Sequence, residues 1–279
     1  MTNRPILVAQ ISDLHIKRPG ELAYCKVDTA TALSRCVAQL NRLVPLPDLV
    51  VISGDLADTP TQQEYNHLKH LLAPLQIPFV AIPGNHDDRI SFRAALSGQP
   101  YAQLSGALNI EVPLRELDIV LMDSSVPGAS HGELDSDTLA WLDTTLSASA
   151  SRPALLFLHH PPFITGIGHM DVQNLRNHND LAAVVGRHRR VRFIAAGHVH
   201  RATATMFAGV PATICPAPNH AVALDLVGQH PPSFNIEPPS FHLHAWFLND
   251  ENDAVVTHLV SIGDFDGPHP FSGPDGRLL

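Results

Sequence analysis

A near-continuous apolar run of four to six residues recurs six times in the first 196 positions, and each run stops abruptly at polar residues. The runs are ILVAQI (6–11), LVVI (49–52), FVAI (79–82), IVLM (119–122), ALLFL (154–158) and FIAA (193–196). They lack the alternation of a half-exposed strand, and so predict strands buried on both faces. Between several of them the apolar positions change to helical spacing. Leu33, Val37, Leu40 and Val44 define one face of a helix over about Asp28 to Val44. Thr59-Pro60 opens a second helix, with proline suited to its first turn and Tyr65, Leu68, Leu72 and Leu75 as its apolar stripe. Buried strands interleaved with helices predict an α/β sheet covered on each side.

The polar residues that end the runs are more informative than the runs themselves. Asp13, His15, Asp55, Asn85, His86, His159, His198 and His200 all lie just beyond strand ends, on five segments far apart in sequence. In α/β sheets, ligands bind in the crevice beyond the carboxyl ends of the strands. Taken singly, an aspartate after a strand reads as a turn or cap, and GHxH or HHPP as loop histidines. Their shared strand-end context argues for a common site. Within FIAAGHVH, an extended backbone would point His198 and His200 the same way, roughly 6.5–7 Å apart, a spacing that suits one small target.

Composition adjusts this picture at three points. At 279 residues, 44% apolar and 16% charged, the chain has a well-filled core and is long enough for one large α/β domain with an appendage. Its formal charge of −9 disfavours long nucleic acid as a partner, so an anionic substrate needs a locally positive site. Cys25, Cys36 and Cys215 show no paired or metal-type spacing, which favours a reducing compartment. MTNRPILVAQISD has too short an apolar run for a secretory signal, and nothing approaches the roughly 18 apolar residues of a membrane span. The expectation is a soluble cytoplasmic protein without membrane contact.

Leaving His86 aside, the clustered groups are two carboxylates, one amide oxygen and four imidazoles, with no thiolate. Mixed nitrogen and oxygen donors suit Zn²⁺, Fe²⁺, Mn²⁺ or Co²⁺. One ion rarely needs so many protein donors, whereas two ions sharing a carboxylate use them all. Such a pair, about 3.5–4 Å apart, clamps the attacking and leaving oxygens in displacement at phosphorus and lowers the pKa of bound water toward about 7. It would also supply the positive charge that an acidic protein otherwise lacks.

Asp13-x-His15, Gly54-Asp55, Gly84-Asn85-His86-Asp87, His159-His160-Pro161-Pro162 and Gly197-His198-x-His200 match, in order, the motifs of calcineurin-like metallophosphoesterases. With IPGNHDD, FLHHPPF and the loop holding His169-Met170-Asp171, the chain more narrowly resembles the class III cyclic nucleotide phosphodiesterases and the related bacterial glycerophosphodiesterase. The resemblance runs from about Ile6 to Ala217. It implies a four-layer α-β-β-α sandwich with a small C-terminal β and irregular extension. It further implies that Asp13, His15 and His200 hold one divalent ion (Fe, Mn, Zn or Co), that Asn85, His159 and His198 hold the other, and that Asp55 bridges them. A hydroxide held by the pair would attack the phosphorus of a small diester, either a 3',5'-cyclic nucleotide or a glycerophosphodiester. His86 would be catalytic, stabilising charge or protonating the leaving oxygen, and Asn85, His86 and His200 would contact substrate.

The neighbours receive quieter roles. Strand alternation would turn His160 away from the metals into a supporting or packing position. Asp123 is expected to make a structural hydrogen bond, and Asp87 and Asp88 to shape the loop after Asn85. The loop 164–180 is expected to overlie the metals, offering Met170, Asn177 and His178 as substrate contacts. Past Ala217, AVALDLV (221–227), FHLHAWF (241–247) and AVVTHLVSI (254–262) read as strands of a second sheet or an edge. QHPPSFNIEPPS (229–240) reads as an ordered extended loop, and the Gly- and Pro-rich tail as irregular. The resemblance implies a catalytic domain over 1–216, followed over 217–279 by second-sheet strands and a cap or oligomerisation segment that helps build a dimer or larger assembly.

Two other readings compete. A protein phosphatase of this superfamily usually carries arginines beside the Gly-Asp and Gly-Asn-His motifs, where this chain has Leu56-Ala57-Asp58 and Ile82-Pro83, and a nuclease would show a basic track. A non-catalytic scaffold should have lost imidazoles from the cluster, and none of the matched positions is missing.

Overall fold

The computed structural model describes residues 4–99, 106–149, 151–247 and 254–278. The chain runs β1 (Ile6–Ile11), α1 (Thr29–Arg42), β2 (Leu49–Ser53), α2 (Gln62–Leu72), β3 (Phe79–Ile82) and α3 (Arg89–Ala95). It continues through β4 (Ile110–Leu114), β5 (Leu117–Met122), α4 (Ser136–Ala148), β6 (Ala154–Leu158), α5 (Gly168–Asp171), α6 (His178–Arg187) and β7 (Val191–Ala196). It ends in β8 (Thr203–Phe207), β9 (Val210–Ile214), β10 (Ala221–Val222), β11 (Phe234–Asn235), β12 (Ser240–Phe247) and β13 (Ala254–Ser261).

These strands form two large sheets, ordered β13-β12-β1-β2-β3 and β4-β5-β6-β7-β9-β8, plus the small β10-β11 ribbon. The continuous apolar runs have a direct explanation in their packing. Ile119, Leu121, Leu155, Phe157, Phe193 and Ala195 join the core shared with the first sheet and its helices. Their sequence neighbours Val120, Met122, Leu156, Leu158, Ile194 and Ala196 face α4 and α6 in a second core. The apolar residues of β5, β6 and β7 thus meet apolar surface on one side or the other, and the layers stack α-β-β-α as the resemblance implies. Among the described residues no helix is long and apolar enough to cross a membrane.

Two local readings change, and a third is settled. α2 starts after Pro60, not at it, because Thr61 Oγ accepts from the Glu64 amide while the Glu64 carboxylate accepts from the amides of Thr59 and Thr61. AVALDLV yields only the two residues of β10, since the Asp225 carboxylate accepts from the amides of Val227, Gly228 and His230 and turns the chain. Of the two places open to the later strands, a second sheet or an edge, they take the edge of the first sheet: β12 pairs antiparallel with β1, and β13 forms the outer edge. The Thr61 capping box gives a test of the redrawn α2 boundary. Thr61→Ala should cost about 1 kcal/mol in urea denaturation without changing metal stoichiometry, whereas Pro60→Ala should leave stability nearly unaltered.

Candidate metal centre

Beyond the strand ends the β1 and β2 segments keep holding one another through backbone. The amides of Asp13, His15 and Ile16 donate to the carbonyls of Gly54, Asp55 and Leu56, each at 3.0 Å. Asp13, His15, Asp55, His198 and His200 all adopt left-handed backbone, with φ of +59°, +45°, +52°, +72° and +56°. Non-glycine residues at positive φ are uncommon and strained, and they gather where a structure must aim a side chain. The left-handed turns also correct the extended-backbone account of FIAAGHVH. His198 and His200 lie past β7, and their convergence comes from two such turns, not from strand alternation.

The eight residues named from the sequence come together. Asp13, His15 and His200 offer ligand atoms within 4.8 Å of one another, as do Asp13, Asp55 and His159, and likewise His15, Asp55 and His86. Asp55 Oδ2 lies 3.4 Å from His159 Nε2 and 3.6 Å from His15 Nε2, between the two groups of imidazoles. Asn85 Oδ1 lies 3.2 Å from His159 Nε2. The other ring nitrogens are fixed from behind: His159 Nδ1 donates to the Ser53 carbonyl at 2.8 Å, and His15 Nδ1 to Asp58 Oδ1 at 3.2 Å. Such partners set the tautomer and leave Nε2 as the donor to a metal.

This arrangement fits cations. Neutral His15 carries its lone pair on Nε2, yet that atom lies 3.2 Å from His200 Nε2. His198 Nε2 is buried with no hydrogen-bond partner, a costly condition that a coordinated cation relieves. Burial raises the Asp13 carboxyl to about 6 despite the nearby His159 and His15. Burial would do the same to Asp55, but His159, His86 and His15 pull it well below the usual carboxylate range. Burial would lower His159, yet Asp55, Asp13 and the Ser53 carbonyl hold it up at about 9. For His15, too, the Asp58 bond and neighbouring carboxylates outweigh burial and raise the pKa. His198 is pushed down to about 3 by burial and the charge on His159. Without metal, then, His159 is held as an imidazolium between the two carboxylates, and His198 stays neutral with a lone pair free.

Close packing keeps the donors in place. A Cβ on Gly84 would fall 2.1 Å from Asp55 Oδ1, and one on Gly54 would fall 2.3 Å from His159 Nδ1. Asp87 accepts from the amides of Gly84, Leu56 and Ala57 and from the Tyr65 hydroxyl, tying the Asp55 and Asn85 loops together. Asp88 caps α3 through the Ser91 amide. Asp123 accepts from Arg89, Leu108 and Ser125, a structural role away from the donors.

His160 departs from expectation. It lies past the end of β6, so strand alternation does not apply to it. Its Nδ1 meets Ser124 Oγ at 2.8 Å, its Nε2 is buried without a partner, and its ring centroid is 4.8 Å from that of His198. It groups with His159 and His198 within metal-binding range.

The donors open on a cavity of about 360 Å³ that Met170 also lines, within the range of small-molecule sites. Asn177 and His178 do not reach it. Asn177 is pinned to the backbone of Leu134, and His178 turns toward the Leu175 carbonyl. The wall the sequence missed is Tyr24, His220 and Phe234, whose ring centroids lie 5.1–5.3 Å apart. They sit in two loops and in β11 without a shared pattern; the only hint was that the proline-rich insertion holding Phe234 would be ordered. His86 lines the same cavity with its amide donating to Asp55 Oδ1 at 2.8 Å and its Nδ1 donating to the Asp58 carbonyl at 2.9 Å.

Residues 6–202 match one family model, described as calcineurin-like phosphoesterase. The chain belongs to that family. Among calcineurin-like phosphoesterases it is 39% identical to a probable glycerophosphodiester phosphodiesterase of Arcobacter nitrofigilis, over 98% of this chain and 100% of the relative. It is 35% identical to a probable cyclic nucleotide phosphodiesterase of Rhodopseudomonas palustris, over 92% and 93% of the two chains. A dimetal phosphatase from Danio rerio shares the fold with a TM-score of 0.61 at 15% identity, covering 93% of this chain and 100% of that one. A purple acid phosphatase from yellow lupin does so at 0.64 and 10% identity, covering 92% and 54%.

The geometry yields two measurements. Because His159 is protonated below about 9 and a metal needs its lone pair, Mn²⁺ binding to the metal-free protein at pH 7 should release protons. Affinity should then rise with pH until that range is passed. Calorimetry in buffers of different ionisation enthalpy reads this directly, and zero proton release would contradict the charge assignment. Gly84→Ala should weaken metal binding by roughly 10–100-fold, read by the same titration.

Proposed function

We propose that this chain is a dimetal phosphodiesterase acting on small diesters, either glycerophosphodiesters or 3',5'-cyclic nucleotides. One observation carries the reading: a buried double set of imidazole and carboxylate donors, with one carboxylate between its halves, opens on a cavity the size of a small molecule. The full-length similarity to a probable glycerophosphodiester phosphodiesterase, beside that to a probable cyclic nucleotide phosphodiesterase, supports the substrate class.

In this proposal Asp13, His15 and His200 hold one ion, Asn85, His159 and His198 the other, and Asp55 both. The nitrogen and oxygen donors, free of thiolate, suit Fe, Mn, Zn or Co. The chemistry such a pair supplies when bound is charge neutralisation around phosphorus and a lowered pKa for water. The chain's own residues then orient the diester. Asn85, His86 and His200 face the phosphate, and His86 is the proton carrier. Its Nδ1 is committed to the Asp58 carbonyl, so Nε2 is the nitrogen that can donate to the leaving oxygen when the ring is protonated. The aromatic wall of Tyr24, His220 and Phe234 bounds the far side and limits the size of the diester group.

Assembly and location belong to the same reading. The edge strand β13 exposes Val256 and Leu259, a surface that supports a dimer or larger assembly completed by the 217–279 segment. Free thiols at Cys25, Cys36 and Cys215 suit the cytoplasm.

Glycerophosphocholine, cyclic AMP and a chromogenic bis-aryl diester, assayed in parallel after Mn²⁺ reconstitution, test the activity. At least one should turn over in wild type and none in Asp55→Ala. Two bound ions with no hydrolysis of any diester would favour the scaffold reading, and near-normal turnover in Asp55→Ala would remove the bridging role.

A further inference from the structure

Deep between the sheets, a chain of hydrogen bonds runs from the outer strands to the metal centre. Gln10 on β1 is fully buried, and its Nε2 donates both to Ser53 Oγ at 2.8 Å and to the Ala196 carbonyl at 3.0 Å. Its Oε1 lies 3.1 Å from His244 Nε2, and His244 Nδ1 lies 2.9 Å from Thr257 Oγ. Only one pattern of protons satisfies this chain. A carbonyl can only accept, so the amide nitrogen of Gln10 must face Ala196 and its oxygen must face His244. His244 therefore carries its proton on Nε2, and the Thr257 hydroxyl donates to Nδ1. Every polar atom along the path is satisfied, in surroundings that include the rings of Phe157 and Phe193.

The path ends at three ligand-bearing segments. Gln10 precedes Asp13 by three residues, Ser53 precedes Asp55 by two, and Ala196 precedes His198 by two. Ser53 is itself the backing of a donor, because its carbonyl accepts from His159 Nδ1. The Ala196 carbonyl belongs to the sheet opposite β1, so one side chain ties β1 and β2 to β7 directly beneath the site. We infer that Gln10, held by His244, is a positioning residue that sets the separation between the donors of the two sheets. The inference rests on the dimetal reading above.

Satisfied buried networks of this kind rigidify what they connect. Gln10→Met keeps the length and volume of the side chain while removing its polar ends, and His244→Phe keeps a ring while releasing the Gln10 oxygen. Stepwise Mn²⁺ binding by calorimetry and the electron paramagnetic resonance spectrum of the bound pair are to be measured on wild type and both variants. Folding of each is checked by urea denaturation. We expect the wild type to bind two ions with a spin-coupled spectrum. The folded variants should lose roughly 10–100-fold in affinity for at least one ion and show a changed coupling. A purely structural role would lower the denaturation midpoint alone, so folded variants with wild-type affinities and spectrum overturn the inference. Should Gln10→Met fail to fold, His244→Phe decides the question by itself. A wild type that binds no coupled pair removes the dimetal reading, a failure distinct from unaltered variants of a wild type that does.

Discussion

Two carboxylates buried at the seam between two sheets are the constraint around which this protein is arranged. Asp13 and Asp55 have almost no contact with solvent, and a carboxylate withdrawn from water must meet positive charge or hydrogen-bond donors. The surrounding residues supply both. The His198 amide donates to both oxygens of Asp13, at 3.0 and 3.1 Å, and the His86 amide donates to Asp55. His159 brings charge that a metal can replace. Because the partners of these carboxylates come from both sheets, the packing of the sheets and the geometry of the site are one problem.

The left-handed turns arise from the same constraint. A strand leaving a sheet delivers its side chains alternately to the two faces, and neither face is where a shared ligand can sit. Reversing the backbone at Asp13, Asp55 and His198 brings their side chains beyond the strand ends into the seam. Such conformations cost on the order of 1–3 kcal/mol each, so they persist only where the rest of the structure over-determines them. Two extensive apolar cores on the strands that precede the turns provide that support. Glycine at position 84 is required by proximity to Asp55, not by its own backbone angle.

The periphery answers a different demand. A chain with a formal charge of −9 is poorly suited to gathering anions over its whole surface. The donors able to hold cations open instead on one cavity, bounded by aromatic side chains and by the loop that carries Met170. Such an enclosure suits a small diester better than a polymer. The ribbon β10-β11 contributes Phe234 to this boundary, so the proline-rich insertion is part of the site's rim and not a bare connector.

Sequence by itself determined the parts in which chemistry and periodicity are local. Unbroken apolar runs imply burial on both faces, and a polar group at the end of each run implies a common edge. That reasoning was enough for the central strands, the α/β class and the eight residues of the centre. The structural role of Asp123, which also ends an apolar run, came from the family resemblance, which places no metal ligand there. Tertiary structure alone decided which sheet β12 and β13 extend, because an alternating strand pairs equally well with any open edge. It alone brought Tyr24, His220 and Phe234 to one wall, and it turned Asn177 inward to Leu134 instead of toward substrate. It also placed His160 beside His198, where a rule for extended backbone had no authority once the strand had ended. These outcomes depend on contacts between residues far apart in the chain, and no short-range pattern records which distant partner a loop will meet.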